Sequence, residues 1–515
     1  MLHGRIRPVE APAIQPVRGT RDVLPPRRGA ERALELRLHQ AFALYGYQPI
    51  DTPVLEPAEL FLRKHGEAIA GRMYTFSYWN RQLCLRPEFT ASVIRAYLNH
   101  LQDRPLPLRV QYAGPTFRYE RPQEEHHRQW TEIGAECVGA SGPAADAEIL
   151  ALARQGLEAA GVTQASFVVG HLGAVLELLA QLGIEGRGQA LVVAAMEQLA
   201  HSPTTAPEVI ERLVGLIGPG RVTAGEEEGE LAGLLQSFGS EATAEIAADL
   251  LERANLSLDG GARSPEEIVG RLVRKARQED PRPNIERAVA FVQELRELAG
   301  PPDEALPKLK ELLARWQLDD APVRDVERSL HYFSSYFPEP VAIRVDLSFA
   351  RGLRYYTGLV FEINDSEGYQ IGGGGRYDDL VRSLGGKEAV PACGFAFGLE
   401  RLAAASEREG NLPASDCAPS VLVAPLADDD CPLASRLAGE LRQADITVEM
   451  DLRFRGLKGD LQHADKAGVP LLLIIGERER VEGVAALRDL RRFEDARIPL
   501  AEVTAAVRAR LENVP

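Results

Sequence analysis

Six short stretches concentrate side chains that could do chemistry. They are LRPEFTA (85–91), FRYERPQ (117–123), WTEIGAE (130–136), RGLRYYTG (351–358), GGGGRYD (372–378) and GLERL (398–402). Together they carry Arg118, Arg351 and Arg401, whose planar forks bind phosphate oxygens in pairs and stay charged in a partly dry site. They also carry Glu88, Glu132 and Glu136, with Tyr355, Tyr356 and Tyr377 nearby in pattern. Carboxylates beside phenols suit an ammonium or imidazolium group. The glycine run lets a flat ligand or a neighbouring strand lie against bare backbone. It is not a phosphate loop, because no Gly-Lys-Ser/Thr ending or helix start follows it. Taken singly, an arginine on a sheet is ordinarily an ion-pair residue, and a Tyr-Tyr pair is ordinarily core and rim. The combination carries the chemistry.

These stretches need elements to hold them. Residues 31–47 have apolar positions at helical spacing, and 47–56, broken by Pro49 and Pro53, read as extended. Residues 82–100 read as a strand, a turn at Arg86-Pro87 and a helix. Residues 108–121 read as strand, Gly-Pro turn, strand, with 126–140 as the return strand of a hairpin whose tip is PQEEHH. A helix over 143–162 and a strand over 166–173 follow. From about 174 to 338 the composition shifts to Ala, Leu, Glu and Arg, which predicts an inserted helical domain; GEEEGE (225–230) within it reads as a solvated acidic patch. Strand patterning returns over 341–349, 354–364 and 369–377, and 392–406 reads as a strand running into a helix. The linker NLPASDCAP leads to alternating strands and helices from 421 to 490, a small α/β domain with a mostly parallel sheet.

Bulk properties bound the rest. A chain of 515 residues is too long for one core. A net charge of −16 confines any nucleic-acid contact to a local basic patch. The best patch is LRFRGLKGDLQHADKAG, with Arg453, Arg455, Lys458 and Lys466. The five cysteines, Cys84, Cys137, Cys393, Cys417 and Cys431, form no Cys-x-x-Cys pair. They read as reduced thiols of a cytoplasmic protein and argue against a metal site. No apolar run approaches a membrane span, and residues 1–17 read as a flexible leader without a signal segment.

The stretches resemble the class II aminoacyl-tRNA synthetases, and within them the histidyl-tRNA synthetase family. The resemblance runs from about residue 18 to the C-terminus, with 174–338 matching poorly. GTRDVLPP (19–26) and GYQPIDTPVLE (46–56) resemble the family's opening and first class motif, whose proline, Pro53 here, lies at the dimer contact. GPTFRYERPQ through IGAEC resembles the second motif and GFAFGLERL the third. RGLRYYTG and GGGGRYD resemble the two histidine-binding signatures, and the tail resembles the anticodon-binding domain. The implied fold is an α+β class II synthetase core, an antiparallel sheet flanked by helices, split over 18–173 and 339–407. A helical insertion occupies 174–338, a linker 408–418, and an anticodon-binding-like α/β domain 419–515.

The resemblance implies a ligase that activates histidine with ATP and transfers it to tRNA, as a homodimer. Arg118 and Arg351 would hold the α-phosphate and Arg401 the γ-phosphate end, with Glu120 and the position of His126 also at ATP and Mg2+ bridging phosphates. Glu88 and Thr90 would take the α-ammonium. Glu136 and Tyr356 would bond the imidazole, with Tyr377, Tyr355, Glu132 and Arg354 lining the pocket. Arg121 and Gln123 would meet the tRNA acceptor end. Four positions depart from the family pattern. Glu125 and His126 stand for a glycine and an arginine, Glu132 for a glutamine, and Arg354 for an aspartate. The two opposite charge changes predict a Glu132–Arg354 pair in the pocket. Residues 167–184 resemble the ligase-inactive paralogue, the regulatory subunit of ATP phosphoribosyltransferase. Two alternatives therefore stand beside the tRNA ligase: a histidine-binding regulatory subunit, and an amino-acid ligase with another acceptor.

Overall fold

The computed structural model describes residues 14–119, 127–201, 206–217, 281–349, 355–414 and 419–512. Contacts divide the chain into two compact units. The larger holds Leu34–Leu412, and the smaller holds Pro413–Pro515 together with Val23–Ala33.

The larger unit is built on an eight-stranded sheet. Its strands run, edge to edge, Gln48–Pro49, Leu108–Phe117, Gln129–Val138, Ala392–Gly398, Gln370–Arg376, Leu359–Asn364, Ser166–His171 and Ala342–Val345. Every internal pairing is antiparallel, and only the two outermost pairs are parallel. The long helix Pro143–Ala159 packs on this sheet, with Ile149, Leu150, Leu152 and Ala153 fully or nearly fully buried. A second, three-stranded sheet, Leu55–Pro57, Arg81–Leu85 and Thr75–Tyr78, stands beside the helix Ala58–His65. This is the expected mixed α+β core.

Residues 108–117 are one strand, not strand, turn, strand. The Gly114-Pro115 pair lies inside it, with Pro115 opposite Thr131. The Thr131 N–H points away from this neighbour, to the Glu400 carboxylate at 2.9 Å, and the Pro115 carbonyl points away too, accepting from Arg86 at 2.9 Å. The pair is thus of the non-hydrogen-bonded kind, and the missing proline N–H breaks no ladder bond.

The described parts of 174–338 are helical: Gly173–Gln181, Arg187–His201, Ala206–Ile217, Arg282–Glu297, Pro302–Arg315 and Ala321–Ser334. Residues such as Phe291, Leu309 and Val323 join the same apolar cluster as Phe167 and Phe361 of the sheet. The acidic patch at 225–230 lies outside the described residues, as do residues 1–13 of the leader.

The smaller unit has a five-stranded sheet in the order Val448–Met450, Val421–Pro425, Leu471–Ile475, Val484–Asp489, Glu494–Pro499. The first two pairings are parallel and the last two antiparallel, so the sheet is mixed rather than mostly parallel. A parallel return needs a crossover of about a dozen residues or more. Between Leu471–Ile475 and Val484–Asp489 there is only the six-residue helix Glu477–Glu482, ended by Gly483 at φ 69°. Among the described residues no helix is long and apolar enough to cross a membrane.

Candidate active site

Glu136 is the centre of the site. It lies on Gln129–Val138, opposite Gly394 on the neighbouring strand. A side chain at 394 would collide with it, since an added Cβ would fall 1.6 Å from Oε2. Three hydroxyls donate to the buried Glu136 carboxylate: Thr90 at 2.7 Å and Tyr112 at 3.1 Å on Oε1, and Tyr377 on Oε2. Burial raises the Glu136 pKa to about 8, against the pull of these donors and of Lys64. Burial beside Glu136 also pushes the Tyr112 and Tyr377 phenols well above their ordinary value, so both remain donors.

The helix Thr90–Ala96 positions the second carboxylate. Both oxygens of Glu88, just before this helix, accept the Ala91 N–H at 3.3 Å, the usual arrangement of an acidic group over a helix N-terminus. Glu88 also holds Lys64, whose Nζ lies 2.8 Å from Oε2. The Lys64 ammonium sits 3.8 Å over the Tyr355 ring centroid. Burial lowers the Lys64 pKa, and Glu88 opposes that shift.

Glu132 is the third buried carboxylate. Its Oε1 accepts the Phe89 N–H at 3.3 Å. Burial raises its pKa to about 7, opposed first by Arg118 and reinforced by Glu88. The proposed partner Arg354 lies outside the described residues, as do Arg351, Glu120, Arg121, Gln123, Glu125 and His126. Among the described residues, the cations that act on Glu132 include Arg118, Lys64 and Arg86.

The arginines stand at one end of the site. Arg118 donates to the Pro87 carbonyl at 2.9 Å and lies 5.1 Å from the Trp130 ring centroid. An atom added at Gly398 would be 3.8 Å from Arg401 and 3.9 Å from Trp130, which brings Arg401 to the same end. Arg401 donates to the Gln370 carbonyl at 3.0 Å. Tyr356 packs on the glycine floor, on the same face as Glu136, 2.9 Å from where a Cβ on Gly375 would lie, and its ring centroid is 4.5 Å from that of Tyr355. Tyr355 and Tyr377 meet edge to face at 5.7 Å. Glu88, Thr90, Glu132, Glu136, Tyr355, Tyr356 and Tyr377 therefore converge.

Sequence reasoning missed two members, Lys64 and Tyr112. Lys64 had a signal: in ELFLRKHG it shares a helix face with Leu60 and Phe61, both buried, and a lysine there must find an internal partner. Tyr112 had only strand alternation to mark it. Arg86, which the sequence marks both as a turn residue and as one of the chemistry-bearing side chains of LRPEFTA, is buried and ties backbone segments together. It donates to the carbonyls of Pro115 at 2.9 Å and Thr52 at 2.6 Å, and covers the Phe89 ring at 3.7 Å.

Comparisons agree with this architecture. The family described as "Histidyl-tRNA synthetase" matches residues 19–211 and 232–402, and the "Anticodon binding domain" matches 420–510. The histidine–tRNA ligase of Thermococcus kodakarensis is 30% identical over 488 residues, 94% of this chain and 95% of that protein. That of Methanocorpusculum labreanum is 32% identical over 483 residues, 93% and 94% of the two chains. The fold is similar to apo histidyl-tRNA synthetase of S. aureus (TM-score 0.62, 24% identity, 96% of this chain and 100% of that one). It is also similar to a Bacillus halodurans protein described as ATP phosphoribosyltransferase regulatory subunit/histidyl-tRNA synthetase (TM-score 0.58, 19% identity, 92% and 99%). The chain belongs to the histidyl-tRNA synthetase family, class II, with a C-terminal anticodon-binding domain.

Proposed function

We propose that this chain is a histidine–tRNA ligase that forms histidyl-adenylate from histidine and ATP and passes the histidyl group to tRNA. The observation that carries this reading is the buried Glu136, ringed by Thr90, Tyr112 and Tyr377 hydroxyls on a glycine floor. A carboxylate so placed can accept one more N–H, and an imidazole supplies it between aromatic walls.

Activation requires no nucleophile from the protein. The histidine carboxylate attacks the α-phosphate of ATP, and pyrophosphate leaves. The chain orients the reactants and offsets developing negative charge. Arg118 and Arg401, at the far end of the site from Glu136, suit the phosphates, with Arg351 as a third. Glu88 and Thr90 are assigned to the α-ammonium, Glu136, Tyr356 and Tyr377 to the imidazole, and Glu132 and Tyr355 to the pocket wall. Arg121 and Gln123 are assigned to the acceptor end of tRNA, and Glu120 and His126 to ATP. Among the described residues no group of three or more His, Cys, Asp and Glu is placed to hold a metal. Magnesium would enter with the ATP substrate, bridging its phosphates. A homodimer through the segment around the exposed Pro53 completes the reading.

Histidine-dependent exchange of pyrophosphate into ATP tests the first step, and charging of histidine tRNA tests the second. Exchange and charging are both expected. Exchange without charging points to another acceptor. Histidine binding without exchange points to a regulatory paralogue.

A further inference from the structure

Lys64 is the penultimate residue of the helix Ala58–His65, and its side chain is completely buried. Its ammonium has a carboxylate at 2.8 Å on one side and an aromatic face at 3.8 Å on the other. A carboxylate opposed to a ring face is how a protein recognises an ammonium ion. Under the function proposed above, the substrate's own ammonium belongs here, on Glu88 and Thr90. Yet the Thr90 hydroxyl donates to Glu136, and Glu88 already holds Lys64. Two ammonium ions cannot share so dry a cage without strong mutual repulsion.

Space for an alternative lies alongside. A cleft of about 230 Å3 is lined by Lys64, Tyr355, Tyr356, Thr357, Asp379 and Gln189, among others. The lysine side chain is a flexible four-carbon stem at the end of a helix, so rotation alone can carry its charge from Glu88 into this cleft.

We infer that Lys64 is a resident stand-in for the substrate's α-ammonium: it closes on Glu88 in the empty site and swings into the adjoining cleft when the amino acid enters. This rests on the amino-acid-binding reading above and deepens it. The exchange of one cation for another means that Glu88 is never left buried and uncompensated. It also makes the apparent affinity for an amino acid lower than the intrinsic one, by the fraction of molecules in which Lys64 is withdrawn. A ligand without an amino group leaves Lys64 where it is and pays no such penalty.

The test measures binding of histidine and of imidazolepropionate, its analogue without the amino group, to the full-length chain and to Lys64→Met by calorimetry. With the closed form favoured about nine to one, the variant binds histidine roughly tenfold more tightly. Imidazolepropionate binds both chains alike. A second measurement needs no variant: acylation of Lys64 by an amine-reactive reagent, read by mass spectrometry, is slow in the free protein and rises severalfold with histidine. Histidine binding that is unchanged or weaker in Lys64→Met, or histidine that protects Lys64 from acylation, overturns the inference while leaving the functional reading intact. Failure of both chains to bind either ligand overturns the functional reading and this inference with it.

Discussion

At the scale of single residues, the site is a balance of buried charge. Glu88, Glu132 and Glu136 are buried together, with Lys64, Arg118 and Arg86 among the cations acting on them. Glu132 has a folded pKa of about 7 against an ordinary 4.5. The folded chain therefore keeps a proton that the unfolded chain has released. Its stabilising effect is complete below the ordinary value and is lost as pH rises toward and through about 7. Glu132→Gln removes this titration while keeping an acceptor for the Phe89 N–H. The variant should gain stability over the parent at pH 8 but not at pH 4, by roughly 1–3 kcal/mol. Thermal unfolding of both chains at the two pH values measures it. An equal difference at both would show that Glu132 does not titrate in this window.

At the scale of elements, Arg86 joins the segment at Thr52, the strand at Pro115 and the ring of Phe89 at the start of the helix Thr90–Ala96. Arg86→Met keeps much of the volume but leaves two carbonyls without their donor, at a cost of roughly 2–4 kcal/mol. Arg86→Lys should rescue little, because one ammonium cannot reproduce the planar fork. Apparent melting temperatures of the two variants against the parent check this; a full rescue by lysine would show that charge alone matters. Strands and helices were legible where hydrophobic spacing was clean, as in Gln129–Val138 and Pro143–Ala159. The Gly114-Pro115 turn was misread because the hydrogen-bonding phase of a strand pair, which decides whether proline is tolerated, is not written in local composition.

At the scale of the whole molecule, the smaller unit carries the basic stretch 452–468 on an otherwise acidic chain. Buried Asp451 organises it, accepting the N–H groups of Arg453 at 3.0 Å and Arg455 at 2.8 Å, and the Arg455 guanidinium. The Arg455 charge is thus committed within the fold, whereas Arg453 and Lys458 are exposed. Arg453→Glu with Lys458→Glu should weaken tRNA binding about tenfold or more at moderate salt and flatten its salt dependence, because two phosphate contacts are lost. Histidine-dependent pyrophosphate exchange should not change. Filter binding over a salt series, paired with the exchange assay, reads both; an unaltered salt slope would remove this surface from the RNA contact.

The sequence by itself determined the family, the order of the motifs and the identity of the converging groups Glu88, Thr90, Glu136, Tyr356 and Tyr377. These follow from residue types at fixed spacings, which local pattern preserves. Only the tertiary structure decided which cation answers which carboxylate. Lys64 and Glu88 lie 24 positions apart, and Tyr377 and Glu136 lie 241 apart. Such pairings depend on sheet order and register, where a shift of one residue turns every side chain to the other face. The expected Glu132–Arg354 pair rests on the two charge changes and on strand alternation, and Arg354 lies outside the described residues. Charge names a need for a partner, and tertiary packing brings Arg118 first and Lys64 second to bear on Glu132.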